Sequence, residues 1–513
     1  MRPVLNAAQM RAMDAETIAK VGIPGAVLME NAGRAVALAV RDLLPAEPTA
    51  ESRVTVLCGS GNNGGDGFVA ARVLQEEGVV CELFLVAGEP AIGGDASLFL
   101  NAFKRCGGTI RFLKSAADVD AARSEIEGSS VLVDAIFGTG LCRNIEGHLA
   151  TLIECINQSP AMVVAVDLPS GLLADTGAIL GVCVRADVTV TMAAVKVANV
   201  GAPGFAYNGH VEVAEIGIPR LRIEARAQAF VLTASDVVGA MPDVDRNGHK
   251  GRRGHVLAVA GSDGKRGAGR LAALAALRSG AGLVTIAAAS IDSQAADPIM
   301  SAVIGNPAQL AEALVRKAAL LIGPGMDTGR SGAALVKHAL ANSSIPMVLD
   351  ADALNHLVGD LSAIVAASAP VVLTPHPGEA ARMLEMSIAE VQADRMAAVR
   401  LLARETGAVV VLKGARTCIC DGGHADEGGD GVVFVCDVGG PELATAGTGD
   451  VLSGVLAALL AQGLEAPFAA ALAVYWHGIA GSCALDAVGG PGVIASDVID
   501  ALPVARTKLQ SLV

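Results

Sequence analysis

Short, β-branched apolar runs alternate with Ala-rich helical stretches along almost the whole chain. Val54 to Cys58, Val79 to Val86, Val131 to Ile136, Met162 to Asp167 and Val188 to Met192 predict buried strands, with helices such as Phe68 to Glu77 between them. Continuous apolar runs, rather than alternating ones, suit parallel strands covered on both faces, so this series predicts one doubly wound sheet. A second series begins at His255 to Ala260 and continues through Leu283 to Ala287, Leu320 to Ile322, Met347 to Asp350, Val371 to Thr374 and Val409 to Leu412. The two are separated near Ile218-Pro219 and the basic, polar stretch Arg220 to Gln228. This predicts a first domain over residues 1–222 and a second over 228–513. The Gly-rich, acidic stretch Gly422 to Gly431 reads as a mobile hairpin loop.

Composition agrees with layered α/β domains. The 513 residues are too many for a single core, and they are 52% hydrophobic with 60 glycines but only 3% aromatic. The cores must therefore be built from Ala, Val and Leu, which excludes a disordered or fibrous chain. Against 38 basic residues stand 52 acidic ones, a net charge of −14, which argues against nucleic acid or an anionic membrane as the main partner. Any phosphate has to be bound locally. The ten cysteines contain no Cys-x-x-Cys pair, the closest spacing being Cys418-x-Cys420, so reduced thiols are expected rather than a zinc knuckle or disulfide framework. Met1 to Asn6 has no signal-peptide core, and no run is expected to reach the roughly 20 apolar residues of a membrane span. A soluble, cytoplasmic protein is expected.

The densest chemical signal is Ala444-Thr445-Ala446-Gly447-Thr448-Gly449-Asp450. Leu452, Val455, Leu456, Leu459 and Leu460 recur at helical spacing behind it, and Gly463 is placed to end that helix. Gly447 and Gly449 then sit at a helix N-terminus, where free N–H groups and the helix dipole attract phosphate. Asp450 would meet a phosphorylated ligand there, although Asp is also an ordinary first-turn helix residue. In the first series, Gly59-Ser60-Gly61-Asn62-Asn63-Gly64-Gly65-Asp66-Gly67 follows a strand and precedes a helix. Its Asn62 and Asn63 amides offer more hydrogen bonds than a plain pyrophosphate loop needs. Asp134, ahead of Gly138-Thr139-Gly140, and Asp167, ahead of Pro169-Ser170-Gly171, end two further strands on the edge where open α/β sheets bind ligands. Either acid alone could cap a turn or helix. Both together with the Asn62-Asn63 loop point to a ligand site.

The segments Gly59 to Gly67, Asp134 to Gly140 and Asp167 to Gly171 resemble the NAD(P)H-hydrate epimerase family over about the first 220 residues. The resemblance implies a Rossmann-like doubly wound domain that interconverts the R and S forms of a nicotinamide cofactor hydrated on its ring. By position it implies that Asn62, Asn63, Gly64, Gly65, Asp66, Asp167 and the loop Gly138, Thr139, Gly140, Leu141, Cys142, Arg143, Asn144 hold the substrate. It further implies a potassium ion at Asn63, Asp134 and Ser170, a hard-oxygen set of low charge. Asp167 becomes the candidate proton-transfer group.

In the second series, His249-Lys250-Gly251-Arg252-Arg253-Gly254-His255 could contact phosphate but alone reads as a solvated loop. Gly323-Pro324-Gly325 and Thr374-Pro375-His376-Pro377-Gly378-Glu379 lie on the ligand edge, with His376 confined between two prolines, an unusual place for a merely structural histidine. Lys413-Gly414-Ala415-Arg416-Thr417 offers two cations around a glycine. With Asp350-Ala351-Asp352-Ala353-Leu354-Asn355 and the Asp450 turn, these segments resemble the ADP/ATP-dependent NAD(P)H-hydrate dehydratase family from about Phe230 onward. The resemblance implies a ribokinase-like α/β domain, with Gly269, Gly325, His376 and Asp450 on the hydrated cofactor and Lys413, Gly414, Ala415, Arg416, Thr417 and Gly449 on the adenine nucleotide. Relatives often carry alanine where this chain has Gly269, which should loosen one contact without abolishing binding.

The combined expectation is a bifunctional repair enzyme using ADP, with both NADHX and NADPHX as candidate substrates and Asp167 and Asp450 as catalytic acids. Magnesium is expected with the nucleotide phosphates, though no dedicated carboxylate cluster identifies its ligands. A homo-oligomer is expected. A ribokinase-type small-molecule kinase is the competing enzyme reading, and it differs by leaving a stable phosphorylated product. A binding or scaffolding role for the first domain is disfavoured by Asp134 and Asp167 standing beside the Asn62-Asn63 loop.

Overall fold

The apolar run ahead of Gly59 forms the strand Arg53–Cys58, buried from Val54 onward, in a computed structural model that describes residues 1–47, 49, 52–243, 247–290, 298–423 and 431–512. Across its sheet the described strands run Ile110–Phe112, Val80–Leu85, Arg53–Cys58, Val131–Ala135, Met162–Val166, Val188–Met192 and His210–Ala214, every neighbouring pair parallel. Chain order reverses between Arg53–Cys58 and Val131–Ala135, and a crevice opens at the carboxyl ends of strands at such a switch point. Arg2–Leu5 pairs separately with Val195–Lys196, setting Leu5 beside Lys196. These elements lie within one unit, Arg2–Ala227. The stretch read as a connector contains the helix Arg220–Arg226 of this unit, tied by Arg222 and Arg226 to Glu16 at 2.8 and 2.9 Å.

The Gly-rich segment after Gly61 differs from its reading as a loop. The helix begins at Asn62, not Phe68, and runs to Glu76. Its glycines serve close packing rather than turning. A Cβ at Gly64 would collide with the Gly59 carbonyl oxygen, and one at Gly67 would stand 2.7 Å from both Ala135 and Cys58 side chains. A helix pressed this closely onto the sheet brings its first-turn N–H groups to the strand ends.

The second unit, Gln228–Val513, winds the same way. Its described strands run Met300–Val303, Leu283–Ala288, His255–Val259, Ala319–Ile322, Met347–Leu349, Val371–Leu373, Val409–Leu412, Thr417–Asp421, Val433–Cys436 and Ala229–Val231. The first seven are parallel. Thr417–Asp421 is antiparallel to both its neighbours. Of the hairpin loop expected at Gly422 to Gly431, residues 424–430 lie outside the described residues. The switch point falls between His255–Val259 and Ala319–Ile322. Over this sheet, the helix Arg266–Arg278 packs against the helix Thr448–Ala461. A Cβ at Gly454 would strike the Ala272 carbonyl, so glycine permits that approach.

The expectation that no run reaches membrane length is corrected by Ala466–Val488, a 23-residue helix long and apolar enough to cross a membrane by length and composition. It is the core helix of this unit, 72% buried over its most apolar window. Its Trp476 is fully buried and donates to the Leu502 carbonyl at 2.8 Å. A helix mostly enclosed by protein needs much the same apolar surface as one enclosed by lipid.

Candidate active sites

At the first switch point lies an open cleft of about 510 Å³, lined by Asn62, Asn63, Asp66, Gly138, Thr139, Gly140, Leu141 and Asp167 among others. Asp167 has a φ of +67°, a left-handed conformation that L residues seldom adopt and that usually needs surrounding bonds to hold it. Those bonds converge on Oδ1: the Met192 N–H donates at 3.2 Å, the Thr191 hydroxyl at 3.3 Å and the Lys196 ammonium at 2.5 Å. Oδ2 is left on the cleft side, 3.4 Å from where a Gly138 Cβ would stand, with Asn63 Oδ1 2.8 Å from the same point. Gly138 thus makes room for an amide and an acid to face one spot. Lys196 is fully buried, and its other donors reach Thr191 Oγ1 at 3.0 Å and the Met192 carbonyl at 2.7 Å. Such an ammonium has its hydrogen bonds made and its charge matched by Asp167.

Three more acids, Asp14, Asp66 and Asp95, line the same cleft, and the first two are perturbed by burial. Neither side chain forms a hydrogen bond or ion pair among the described residues. Burial, with the charges of Asp167 and Asp14, pushes the Asp66 carboxyl well above the usual carboxylate range. Asp14 is pushed up to about 6, by burial first, with Lys196 opposing and Asp167 adding. The cleft therefore holds one salt-bridged carboxylate beside acids that keep their protons to higher pH, a division suited to paired base and acid roles. An acid whose folded pKa is raised adds stability below its unfolded value of 3.8 and loses it as pH climbs through the folded value. We expect Asp66→Asn to melt higher than the parent at pH 8, with the gain shrinking towards pH 4, while epimerase turnover falls. Paired melting curves at both pH values check this, and a gain that grows on acidification contradicts it.

Asp134 and Ser170 lie under the cleft floor, both fully buried. The Asp134 carboxylate accepts from Ser170 Oγ at 2.6 Å, Ser170 N at 2.7 Å and Ile136 N at 3.2 Å, and burial pushes it up to about 6. No cation pairs with it among the described residues. Asn63, in the first turn of the helix Asn62–Glu76, turns its Oδ1 towards Gly138 and the cleft, while its Nδ2 is buried without a partner among the described residues. A buried anion lacking a counter-charge among hard oxygens fits a large monovalent cation.

In the second unit Gly447, at φ +90°, caps the helix Thr448–Ala461. The Thr448 hydroxyl pins the turn to the Leu443 and Thr445 carbonyls at 2.7 and 2.9 Å. Asp450 Oδ2 folds back to 3.9 Å from the Gly447 Cβ position, while Lys413 Nζ stands 3.4 Å from that of Gly449. An acid and an ammonium thus bracket the glycine turn. Burial and the nearby Asp350 charge push Asp450 up to about 6, with Lys413 opposing. Burial alone would lower the Lys413 ammonium, but Asp350, Glu379 and Asp450 raise it beyond its ordinary value, so it stays charged. The remaining edge loops are stitched together. Gly261 N donates to the Pro324 carbonyl at 2.9 Å, Ser262 N to Gly325 at 2.7 Å, and Lys413 N to Pro375 at 2.8 Å.

The structure sorts the expected residues. Asn62, Asn63, Asp66, Asp167 and Gly138 to Leu141 share one cleft, whereas Cys142, Arg143 and Asn144 are exposed outside its lining. Gly64 and Gly65 are buried packing positions beneath it. Gly269 is buried against Ala260 and Gly261, where a Cβ would sit 3.1–3.2 Å from backbone. His376 proves to be a helix cap: Nδ1 accepts from Gly378 N and Glu379 N at 3.0 and 3.3 Å, and Nε2 faces Glu379 Oε1 at 3.4 Å. The two cations expected to act together diverge, Lys413 towards Asp350 at 2.7 Å and Arg416 towards the Asp437 carbonyl at 2.7 Å. Sequence reading missed Lys196, Asp14 and Ser453, and it quoted Asp350 as part of a motif without giving it a role. The available signal was polarity out of place: a lysine within the apolar run Ala193 to Val200, and a serine inside the apolar helix after Asp450.

Two doubly wound units, each presenting a carboxylate beside a glycine-lined cradle at its strand ends, define a two-site α/β enzyme. Residues 25–198 match the family described as YjeF-related protein N-terminus, and residues 256–504 match NAD(P)H-hydrate dehydratase. The chain is 40% identical to the bifunctional NAD(P)H-hydrate repair enzyme of Moorella thermoacetica across 99% of this chain and 97% of that protein. It is 34% identical to the bifunctional NAD(P)H-hydrate repair enzyme of Escherichia coli K12 across 87% and 84% respectively. The solved ADP/ATP-dependent NAD(P)H-hydrate dehydratase of Bacillus subtilis, co-crystallised with ATP and magnesium, covers 54% of this chain and 97% of its own at 30% identity and a TM-score of 0.46. The chain belongs to the family of bifunctional NAD(P)H-hydrate repair enzymes.

Proposed function

We propose that the first unit epimerises the R and S hydrates of NADH and NADPH, and that the second dehydrates the S form at the expense of ADP. The observation that carries the reading is the bracketing of the Gly447–Gly449 turn by Asp450 and Lys413. Phosphoryl transfer needs a base at the attacking hydroxyl and positive charge at the phosphoryl oxygens. Asp450 takes the proton of the substrate hydroxyl as its oxygen bonds to the β-phosphorus of ADP. The bond from phosphorus to the bridging oxygen breaks, and AMP leaves with the electron pair. Lys413 and the turn N–H groups hold the transferring group. The ring nitrogen lone pair then expels phosphate, and loss of a proton from the neighbouring ring carbon restores the reduced cofactor. Magnesium bound with the nucleotide phosphates would neutralise part of their charge.

In the first unit the hydroxyl-bearing carbon adjoins the ring nitrogen, so epimerisation can proceed by reversible ring opening. Asp167 Oδ2 takes the hydroxyl proton as the carbon–nitrogen bond breaks to an aldehyde, and protonated Asp66 supplies the proton to nitrogen. Rotation and closure on the other face return both protons. Asn63, Asp134 and Ser170 would hold potassium, which would supply the counter-charge that buried Asp134 lacks among the described residues. The test is recovery of the NADH absorbance band from mixed R and S NADH hydrate with ADP, with ATP and without nucleotide, alongside released inorganic phosphate. Complete, nucleotide-dependent recovery with equimolar phosphate is expected. Recovery of the S fraction alone removes the epimerase assignment, and a stable phosphorylated product in place of phosphate means a kinase.

A further inference from the structure

The motif beginning at Asp350 holds no place in the reaction as derived above, yet Asp350 is the hub of the second site. Asp350 is 1% exposed. Oδ1 accepts from Lys413 Nζ at 2.7 Å and from Ala351 N at 2.9 Å, and Oδ2 accepts from Ser453 Oγ at 2.6 Å. Ser453 lies one turn after Asp450 on the same helix, so Asp350 ties the lysine to the helix whose N-terminus forms the anion turn. The neighbouring Ala351 has a φ of +50°, a left-handed conformation fixed where the chain leaves the sheet. Lys413 faces a second carboxylate, Asp450, without a hydrogen bond to it. The other titratable groups around the lysine are Glu379 from the His376 loop and His477, buried and pushed down to about 4 by that burial.

Resting on the assignment of Asp450 as the base of dehydration, we propose that Asp350 is the positioning residue of the phosphoryl-transfer turn. It fixes the Lys413 ammonium over Gly447–Gly449, on the transferring phosphoryl group, and holds it off the carboxylate of Asp450. Left to itself, an ammonium beside two acids at a helix N-terminus would close on whichever lacked a partner. That contact would quench the base and withdraw the cation from the phosphate in one movement. Ser453 and the Ala351 N–H prevent it by fixing Asp350, and Asp350 prevents it by out-competing Asp450 for the lysine. The elevated value of Asp450, about 6, is the electrostatic counterpart of this arrangement, since burial and the Asp350 charge outweigh Lys413.

The test is the pH dependence of ADP-dependent dehydration of S-NADH hydrate by the full chain. The parent should lose activity as Asp450 protonates near pH 6. Asp350→Asn keeps the size and an acceptor for Ser453 but removes the charge. We expect kcat to fall by ~10-fold or more and the acid limb to move down by about one pH unit, because Asp450 loses a like charge and gains the lysine. A purely structural loss would lower the rate without moving the limb. Lys413→Met should move the limb the opposite way. A limb that stays put in the Asp350 variant overturns the proposal, as does one that stays put in Lys413→Met even if the Asp350 variant fails to fold. Turnover surviving in Asp450→Asn would instead remove the base assignment itself, an outcome read from a different protein.

Discussion

Asp450→Asn is expected to cut nucleotide-dependent dehydration by ~10²–10⁴-fold in kcat, the usual range for removal of a positioned general base. Asn has nearly the same shape, and the turn is pinned by the Thr448 hydroxyl rather than by the Asp450 side chain, so the turn should persist. What is lost is the acceptor for the hydroxyl proton, in a position where burial and Asp350 have raised it to about 6, close to an operating pH. The sign follows: parent activity is full where Asp450 is ionised and declines as pH falls through about 6. The variant should show a flat, low profile over the same range. KM for ADP should change little, because the cation on the phosphates, Lys413, keeps its hydrogen bond to Asp350. Epimerisation by the same preparation should continue at the parent rate, which separates a chemical defect from a damaged protein. A variant that still turns over within ten-fold of the parent would show that the proton leaves by another route.

The parallel cores were readable because their strands are continuous apolar runs. The acids Asp134 and Asp167 were readable because each closes such a run ahead of glycine, and Asp450 because it follows two glycines and opens an apolar helix. Edge strands were not readable. His210–Ala214 and Met300–Val303 are largely exposed, so no apolar period distinguishes them from loop. The helix start at Asn62 was misread for a physical reason. Glycine is poor in helices, so three glycines within four positions argue for a turn. Here the requirement was contact with the Gly59 carbonyl and the Cys58 and Ala135 side chains, which only the folded sheet reveals. The partners of the acids were hidden by distance along the chain. Lys196 lies 29 residues beyond Asp167, Lys413 lies 63 beyond Asp350, and Ser453 lies 103 beyond it. No local pattern links such pairs. The fold brings them together: Asp350 and Lys413 follow strands that flank Val371–Leu373, and Ser453 comes from the helix Thr448–Ala461.

Lys196→Met should be the most damaging single change in the first unit. The side chain is fully buried and its ammonium makes hydrogen bonds to Asp167 Oδ1, Thr191 Oγ1 and the Met192 carbonyl. Met fills the volume but satisfies none of them. A buried carboxylate deprived of its cation typically costs about 3–5 kcal/mol, a large part of the stability of one unit. Asp167 also needs those bonds for its geometry, because its φ of +67° persists only while the Met192 N–H, Thr191 and Lys196 hold Oδ1 and direct Oδ2 to the cleft. Epimerase kcat/KM should therefore fall by ~10²-fold or more even under conditions where the variant remains folded. Asp167→Asn provides the contrast. It leaves Lys196 with the Thr191 and Met192 oxygens, so it should be less destabilising while removing proton transfer as completely. Denaturant unfolding followed with epimerase and dehydratase assays on the same samples distinguishes the two. Dehydration of S-NADH hydrate should survive in both variants, and Lys196→Met should unfold its first transition at distinctly lower denaturant than Asp167→Asn. Equal stability of the two variants, or parent-like epimerisation in either, would mean that the buried pair neither orients nor anchors the acid.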